Sequence, residues 1–157
     1  MKYWKKPKDE HIVYEALTAL ADNRIEITEK SAKCFSSSGN KFYTINFDLE
    51  KNAFMSDDNM AYYRDEVSYP ILAVLLVNEV IKYDQSILNY LKNIPWKNIN
   101  QKNKNNYMKS VKEVLENIKQ DGGPIKIIEI EVKKIFEKLN EINLVVMGEK
   151  IIPSNKY

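Results

Sequence analysis

The feature that most constrains the fold is an apolar run, residues 71–77, that follows a stretch of alternating strand pattern. Ser68 can cap a helix here, and Pro70 suits the first helical turn, where an amide has no hydrogen-bond partner to lose. The pattern predicts a central helix over residues 70–83. Because this helix is apolar on all sides, we expect it to be buried on all sides.

A meander of short strands is predicted to precede the central helix. Apolar and polar residues alternate most clearly over residues 41–47, where Tyr43, Ile45 and Phe47 share one face. Further strands are predicted over residues 24–28, 32–36 and 53–56. Turn compositions at residues 37–40 and 48–52 separate the strands. Residues 57–67 are predicted to form an acidic loop.

Helical patterns stand on both sides of this unit. Helices are predicted over residues 9–22, from 84 to Pro95, over 106–120 and over 124–147, with a polar connection at 94–105. The Gly-Gly-Pro break at residues 122–124 predicts that the last two helices form a hairpin. The last helix carries a heptad stripe of six apolar residues, namely Ile128, Val132, Ile135, Leu139, Ile142 and Val146.

The predicted fold class is α+β. We expect an antiparallel β-meander packed on a central apolar helix, followed by a C-terminal helical hairpin. The 157 residues suit a single domain. Its predicted parts are a basic arm (1–8), a unit of helix, meander and central helix (9–83), a helical half (84–147) and a tail (148–157).

Composition limits the environment and the partners. The net charge of +2 gives no global field of one sign. The single cysteine excludes an internal disulfide and fits a reducing compartment. The longest apolar run is far shorter than the roughly 20 residues of a membrane span. We therefore expect a cytoplasmic protein without a membrane partner.

Catalytic motifs are absent from the sequence. One histidine, His11, and one thiol, Cys34, are not placed together by any spacing, and they are too few for a structural zinc site. The glycines form no phosphate-binding loop. We therefore assign no catalytic residue, no metal and no cofactor. The enzymatic alternative is a divalent-metal site built from acidic-loop residues such as Asp57, Asp58 and Asp65.

The charge pattern points to nucleic acid. Residues 85–112 contain six lysines and no acid, and aromatic residues lie among them. Lysines pair with phosphates and aromatic rings stack on bases, a combination that suits single-stranded DNA or RNA. The candidate phosphate contacts are Lys97, Lys102, Lys104 and Lys109, and the candidate stacking residues are Trp4 and Trp96. The alternatives are an ordinary solvated helix face and a tryptophan that fills the core.

The stripe of the last helix offers a different partner. Its default role is packing on the preceding helix inside the fold. The alternative is a protein partner or self-association through Ile128, Ile135, Leu139 and Ile142.

Residues 36–80 resemble a SWIM domain, a small zinc-binding module in which a β-hairpin precedes an apolar helix. Residues 36–47 match its strand-turn-strand lead, and residues 68–76 match its helix start, including an Ala-Val-Leu-Leu run. Ser68 and Pro70 stand where the family has cysteine and histidine, so no zinc ligand is carried over. The resemblance implies a metal-free derivative that binds DNA or a protein. We therefore expect a small, non-catalytic binding or accessory protein.

Overall fold

The computed structural model describes residues 1–153 and shows a five-stranded mixed sheet with helices. The last four residues of the expected tail, 154–157, lie outside this range. The helices are α1 (His11–Ala21), α2 (Asn59–Arg64), α3 (Tyr69–Val77), α4 (Trp96–Lys102), α5 (Tyr107–Gln120) and α6 (Ile125–Glu141), with a 3-10 helix at Gln85–Tyr90. The strands are β1 (Ile25–Ile27), β2 (Ser31–Phe35), β3 (Phe42–Asp48), β4 (Ala53–Ser56) and β5 (Val145–Val146). The predicted α+β class is confirmed.

The sheet follows the chain in the order β1-β2-β3-β4-β5. The first four strands pair antiparallel, and β5 joins β4 in parallel. Alternation along β3 sends Ile45 and Phe47 into the core, where both are almost fully buried. Phe47 lies opposite Phe54 of β4, and their stacked rings are 6.1 Å apart. Such cross-strand aromatic pairs fix the register of the meander.

The central helix is α3, which packs against α1 and against β1, β3 and β4. Its residues from Pro70 to Leu76 are all buried, as an apolar run with no polar face requires. The helix is shorter than the predicted 70–83. The side-chain amide of Asn78 donates to the Val74 carbonyl at 3.0 Å, and Glu79 then takes a left-handed backbone with φ of 58°. This turn ends the helix.

The stripe of α6 packs inside the fold. Ile128, Ile135 and Leu139 are 0% exposed, and α6 contacts both α1 and α5. The predicted alternative of self-association through these three side chains is therefore wrong, because they are not on the surface. The predicted helix over 124–147 also ends early. Ile142 has extended backbone angles, is half-buried, and leads into β5.

The N-terminal segment is docked on the sheet edge and does not form a separate arm. The Trp4 amide donates to the Leu144 carbonyl at 2.8 Å, and its indole Nε1 donates to the Phe54 carbonyl at 3.0 Å. Trp4 is only 3% exposed. Its ring therefore cannot stack on a base in this structure, which corrects the predicted role.

Two short helices were not predicted. Asp58 caps α2 by accepting from the Ala61 amide at 2.9 Å, within the segment predicted as an acidic loop. The helix α4 lies within the predicted polar connection and buries Trp96 and Asn100. Among residues 1–153, no helix combines the length and apolarity needed to cross a membrane.

Candidate functional site: a polar pocket

A pocket of about 590 Å³ lies where α1, the β2–β3 turn, α2, the start of α3 and α4 meet. We call it the polar pocket. Its volume falls within the roughly 300–1,000 Å³ of small-molecule sites. The lining residues that matter most for its chemistry are Glu15, Arg24, Lys41, Arg64, Lys97 and Asn100.

Glu15 of α1 is the central acid of the polar pocket. Its side chain is 15% exposed. The Asn100 side-chain amide donates to Oε1 at 3.5 Å, and His11 Nε2 lies 3.6 Å from Oε2. Burial raises the pKa of Glu15 from 4.5 to about 8, although the positive charge of Arg24 opposes this. The carboxyl therefore holds a proton more readily than an exposed glutamate does, and in its protonated form it can donate as well as accept a hydrogen bond.

His11 lies beside Glu15, one helical turn earlier. Its Nδ1 is hydrogen-bonded to the Asp9 carboxylate, and its ring stacks on Tyr107 at 4.2 Å with an interplanar angle of 9°. Burial lowers the pKa of His11, while the hydrogen bond that its ring donates to Asp9 opposes the shift. The ring is thus held between two carboxyls and an aromatic face, which fixes the wall of the pocket next to Glu15.

Arg24 enters the pocket from the segment just before β1. Its Nη1 donates to the Phe35 carbonyl at 2.6 Å, and its Nε lies 3.8 Å from an Asp22 carboxylate oxygen. The side chain is 11% exposed. A guanidinium fixed in this way places a permanent positive charge, partly offset by Asp22, in the lining of the pocket.

Three more cations line the pocket from separate segments. Lys41 precedes β3 and lies over the Tyr43 ring at 5.3 Å. Arg64 ends α2, and Lys97 belongs to α4; both are exposed. These side chains come from different parts of the sequence, so the fold alone brings their charges together.

The second acid in the lining, Asp58, is engaged within the protein. It accepts from the hydroxyls of Ser56 at 2.5 Å and Ser68 at 2.6 Å, as well as capping α2. Burial raises its pKa. The lining thus contains four cations and two carboxyls, so the polar pocket has a positive electrostatic character.

Comparison with known proteins places the chain in a family. A family model matches residues 4–145, which is most of the chain. The chain belongs to the family described as uncharacterised conserved protein UCP014422. No curated protein and no solved structure matches it. The matched range includes every residue named above as lining the pocket.

The predicted nucleic-acid residues separate into two groups. Lys97, Lys102, Lys104 and Lys109 are all exposed, on α4, the α4–α5 turn and the start of α5. Among them Lys97 lines the polar pocket, whereas Lys102 forms an ion pair with Glu113. Trp96 is 2% exposed, and its Nε1 donates to the Thr18 hydroxyl at 2.9 Å. The stacking role of Trp96 is therefore corrected, because its ring fills the core.

The acidic-loop residues are engaged in separate contacts. Asp57 accepts from the Thr44 amide at 2.8 Å, and Asp65 pairs with Lys150 at 2.6 Å. Within the described range, no group of three or more His, Cys, Asp or Glu side chains is placed to hold a metal ion. Cys34 is fully buried, and burial raises the pKa of its thiol to about 12, which keeps it protonated.

Five of the key lining residues were not predicted from the sequence, namely Glu15, Arg24, Lys41, Arg64 and Asn100. One local signal was available: His11 and Glu15 are four residues apart, so they share one face of α1. No local signal marks Arg24 or Asn100, since their roles depend on contacts with distant segments.

Proposed function

We propose that the protein binds a small anionic molecule in the polar pocket. The observation that carries this proposal is the convergence of Arg24, Lys41, Arg64 and Lys97 on one cavity of about 590 Å³. The lining contains only two acids, Glu15 and Asp58, so they do not offset these four charges fully. An anion that enters would gain charge-assisted hydrogen bonds in an environment less polar than water.

The different solvent exposure of the cations suggests how such a ligand would enter. Arg64 and Lys97 are exposed and can attract an anion from solution, while Arg24 is almost buried. The guanidinium of Arg24 is held by the Phe35 carbonyl, so little side-chain entropy remains to be lost on binding. This arrangement of exposed and buried cations favours a ligand with an anionic group at the mouth of the pocket and polar groups further inside.

The proposal predicts that Lys97→Gln weakens the binding of pyrophosphate. Pyrophosphate is a compact polyanion that fits the pocket, and removing one exposed cation from its site should reduce affinity about fivefold, or ~1 kcal/mol. Isothermal titration calorimetry at low ionic strength measures this change. Lys102→Gln is the matched control, since Lys102 lies on the same helix, is not part of the pocket lining, and pairs with Glu113.

Two results would contradict the pocket proposal. Wild-type protein that gives no pyrophosphate binding in about 20 mM salt would remove its basis, because electrostatic attraction is strongest at low salt. Equal losses in the two variants would show that the anion is bound by the general lysine surface.

A second candidate function is nucleic-acid binding by the exposed lysines. The observation that favours it is that Lys97, Lys102, Lys104 and Lys109 lie exposed on consecutive elements. An extended nucleic-acid strand would contact all four lysines, so Lys97→Gln and Lys102→Gln should weaken the binding of a single-stranded oligonucleotide to the same extent. This binding should also weaken steeply as the salt concentration rises. The stacking tryptophans no longer contribute to this proposal. The resemblance of residues 36–80 to SWIM domains stays a prediction.

A further inference from the structure

The inner wall of the polar pocket carries side chains suited to a base edge. Glu15 and Asn100 are hydrogen-bonded at 3.5 Å, and both lie largely out of solvent while lining the cavity. Asn100 is 8% exposed. Carboxyl and carboxamide groups provide the paired donors and acceptors that proteins use to bind the edges of nucleobases. These two groups come from α1 and α4, so their proximity is a product of the fold.

Aromatic rings line the same cavity. Tyr107 and His11 form a parallel stack at 4.2 Å, and Tyr43 and Tyr69 meet edge to face at 6.3 Å. All four residues line the pocket. Flat rings beside hydrogen-bonding groups favour a planar heterocycle over an aliphatic acid, because a base gains stacking energy from such surfaces.

The two exposed cations of the pocket, Arg64 and Lys97, are placed to hold a phosphate. Arg64 and Lys97 are exposed, whereas Glu15 and Asn100 are largely buried. A ligand that satisfies both ends must carry a negative group and a planar polar group. We infer that the anion is a nucleotide, an inference that rests on the proposed function. Its base would lie against Glu15 and Asn100, and its phosphate would lie near Arg64 and Lys97. The same chemistry is offered by a free mononucleotide and by the end of a nucleic-acid strand.

The test compares ligands that differ only in the base. Calorimetric titration of the full chain with AMP, GMP, CMP and UMP is compared with titration by ribose 5-phosphate, which has the phosphate but no base. We expect at least one mononucleotide to bind about tenfold or more tightly than ribose 5-phosphate, as stacking and edge contacts to one base would provide. Asn100→Leu should abolish most of this difference, because it removes the carboxamide that contacts the base.

A second variant tests the same inference in case Asn100→Leu does not fold. Tyr107→Leu removes the aromatic stack at the start of α5 and should reduce the mononucleotide preference in the same way. A 5′-phosphorylated dinucleotide separates the two sources of the ligand: tighter binding than the mononucleotide indicates a strand end, and weaker binding indicates a free nucleotide.

The failure of this inference differs from the failure of the proposed function. Equal affinities for ribose 5-phosphate and all four mononucleotides would overturn the inference and leave anion binding intact. If both variants kept the full preference for a mononucleotide, the placement of the base would be overturned. No binding of any phosphate compound, pyrophosphate included, would overturn the proposed function together with the inference.

Discussion

Leu72→Ala is expected to lower the free energy of unfolding by about 3 kcal/mol, because it removes buried methyl groups and leaves a cavity. Leu72 is 0% exposed and lies in α3, between α1 and the sheet. Few side chains around it can move to fill the space, since the surrounding elements pack on α3 from several sides. Urea denaturation followed by circular dichroism measures the loss.

Val77→Ala is the matched control on the same helix. Val77 is 37% exposed at the end of α3, so its truncation should cost less than about 1 kcal/mol. A loss below that value for Leu72→Ala as well would contradict the central position of α3.

Glu15→Gln is expected to stabilise the protein at alkaline pH. The pKa of Glu15 rises from 4.5 to about 8 on folding, chiefly through burial, so between these values the folded state holds a proton that the unfolded state has lost. The contribution of Glu15 to stability is thus fully present below about pH 4.5 and is lost as the pH rises through 8. Glutamine does not titrate. The variant should therefore exceed the wild type by about 3 kcal/mol at pH 9, a value reduced from the full linkage because the side chain is partly solvated.

The measurement is urea denaturation of both proteins from pH 5 to 9. Glu26→Gln is the control, because Glu26 is an exposed carboxyl on β1 and its replacement should change stability by no more than about 0.5 kcal/mol at any pH. A stability difference between Glu15→Gln and wild type that does not grow with pH would show that Glu15 is ionised in the folded state.

The apolar pattern accounts for what could be predicted from the sequence. The run at residues 71–77 gave the position of α3, and alternation gave β3, because these signals are local. The stripe predicted for the last helix holds up to Leu139, whereas Ile142 and Val146 lie beyond the end of α6. Beyond it, Val146 continued the heptad spacing by chance, since its place is decided by parallel pairing with Phe54 of β4, a contact between residues far apart in the sequence.

The two short helices α2 and α4 could not be predicted from the sequence, for a physical reason. The helix α4 has seven residues and buries only Trp96 and Asn100, so it shows no repeated apolar stripe. The helix α2 depends on its Asp58 cap more than on an apolar face. Tertiary contacts stabilise such short helices, because their own hydrogen bonds are too few.

The polar pocket could not be predicted because its charges come from separated segments. The run of lysines included Lys97, which lines the pocket, but Arg24 and Lys41 belong to other regions of the chain. Glu15 was hidden within a helix whose apolar residues dominated its pattern. Only the packing of α1 against its neighbours turns this carboxyl into a buried group.

Amide chemical-shift mapping by NMR, with ¹⁵N-labelled protein and pyrophosphate, tests the central claim most directly. The account predicts that the largest shifts cluster at the polar pocket, at Lys41, Arg64 and Asn100, and saturate with one ligand per chain. Shifts confined to Lys102, Lys104 and Lys109, or none at all, would contradict anion binding in the polar pocket.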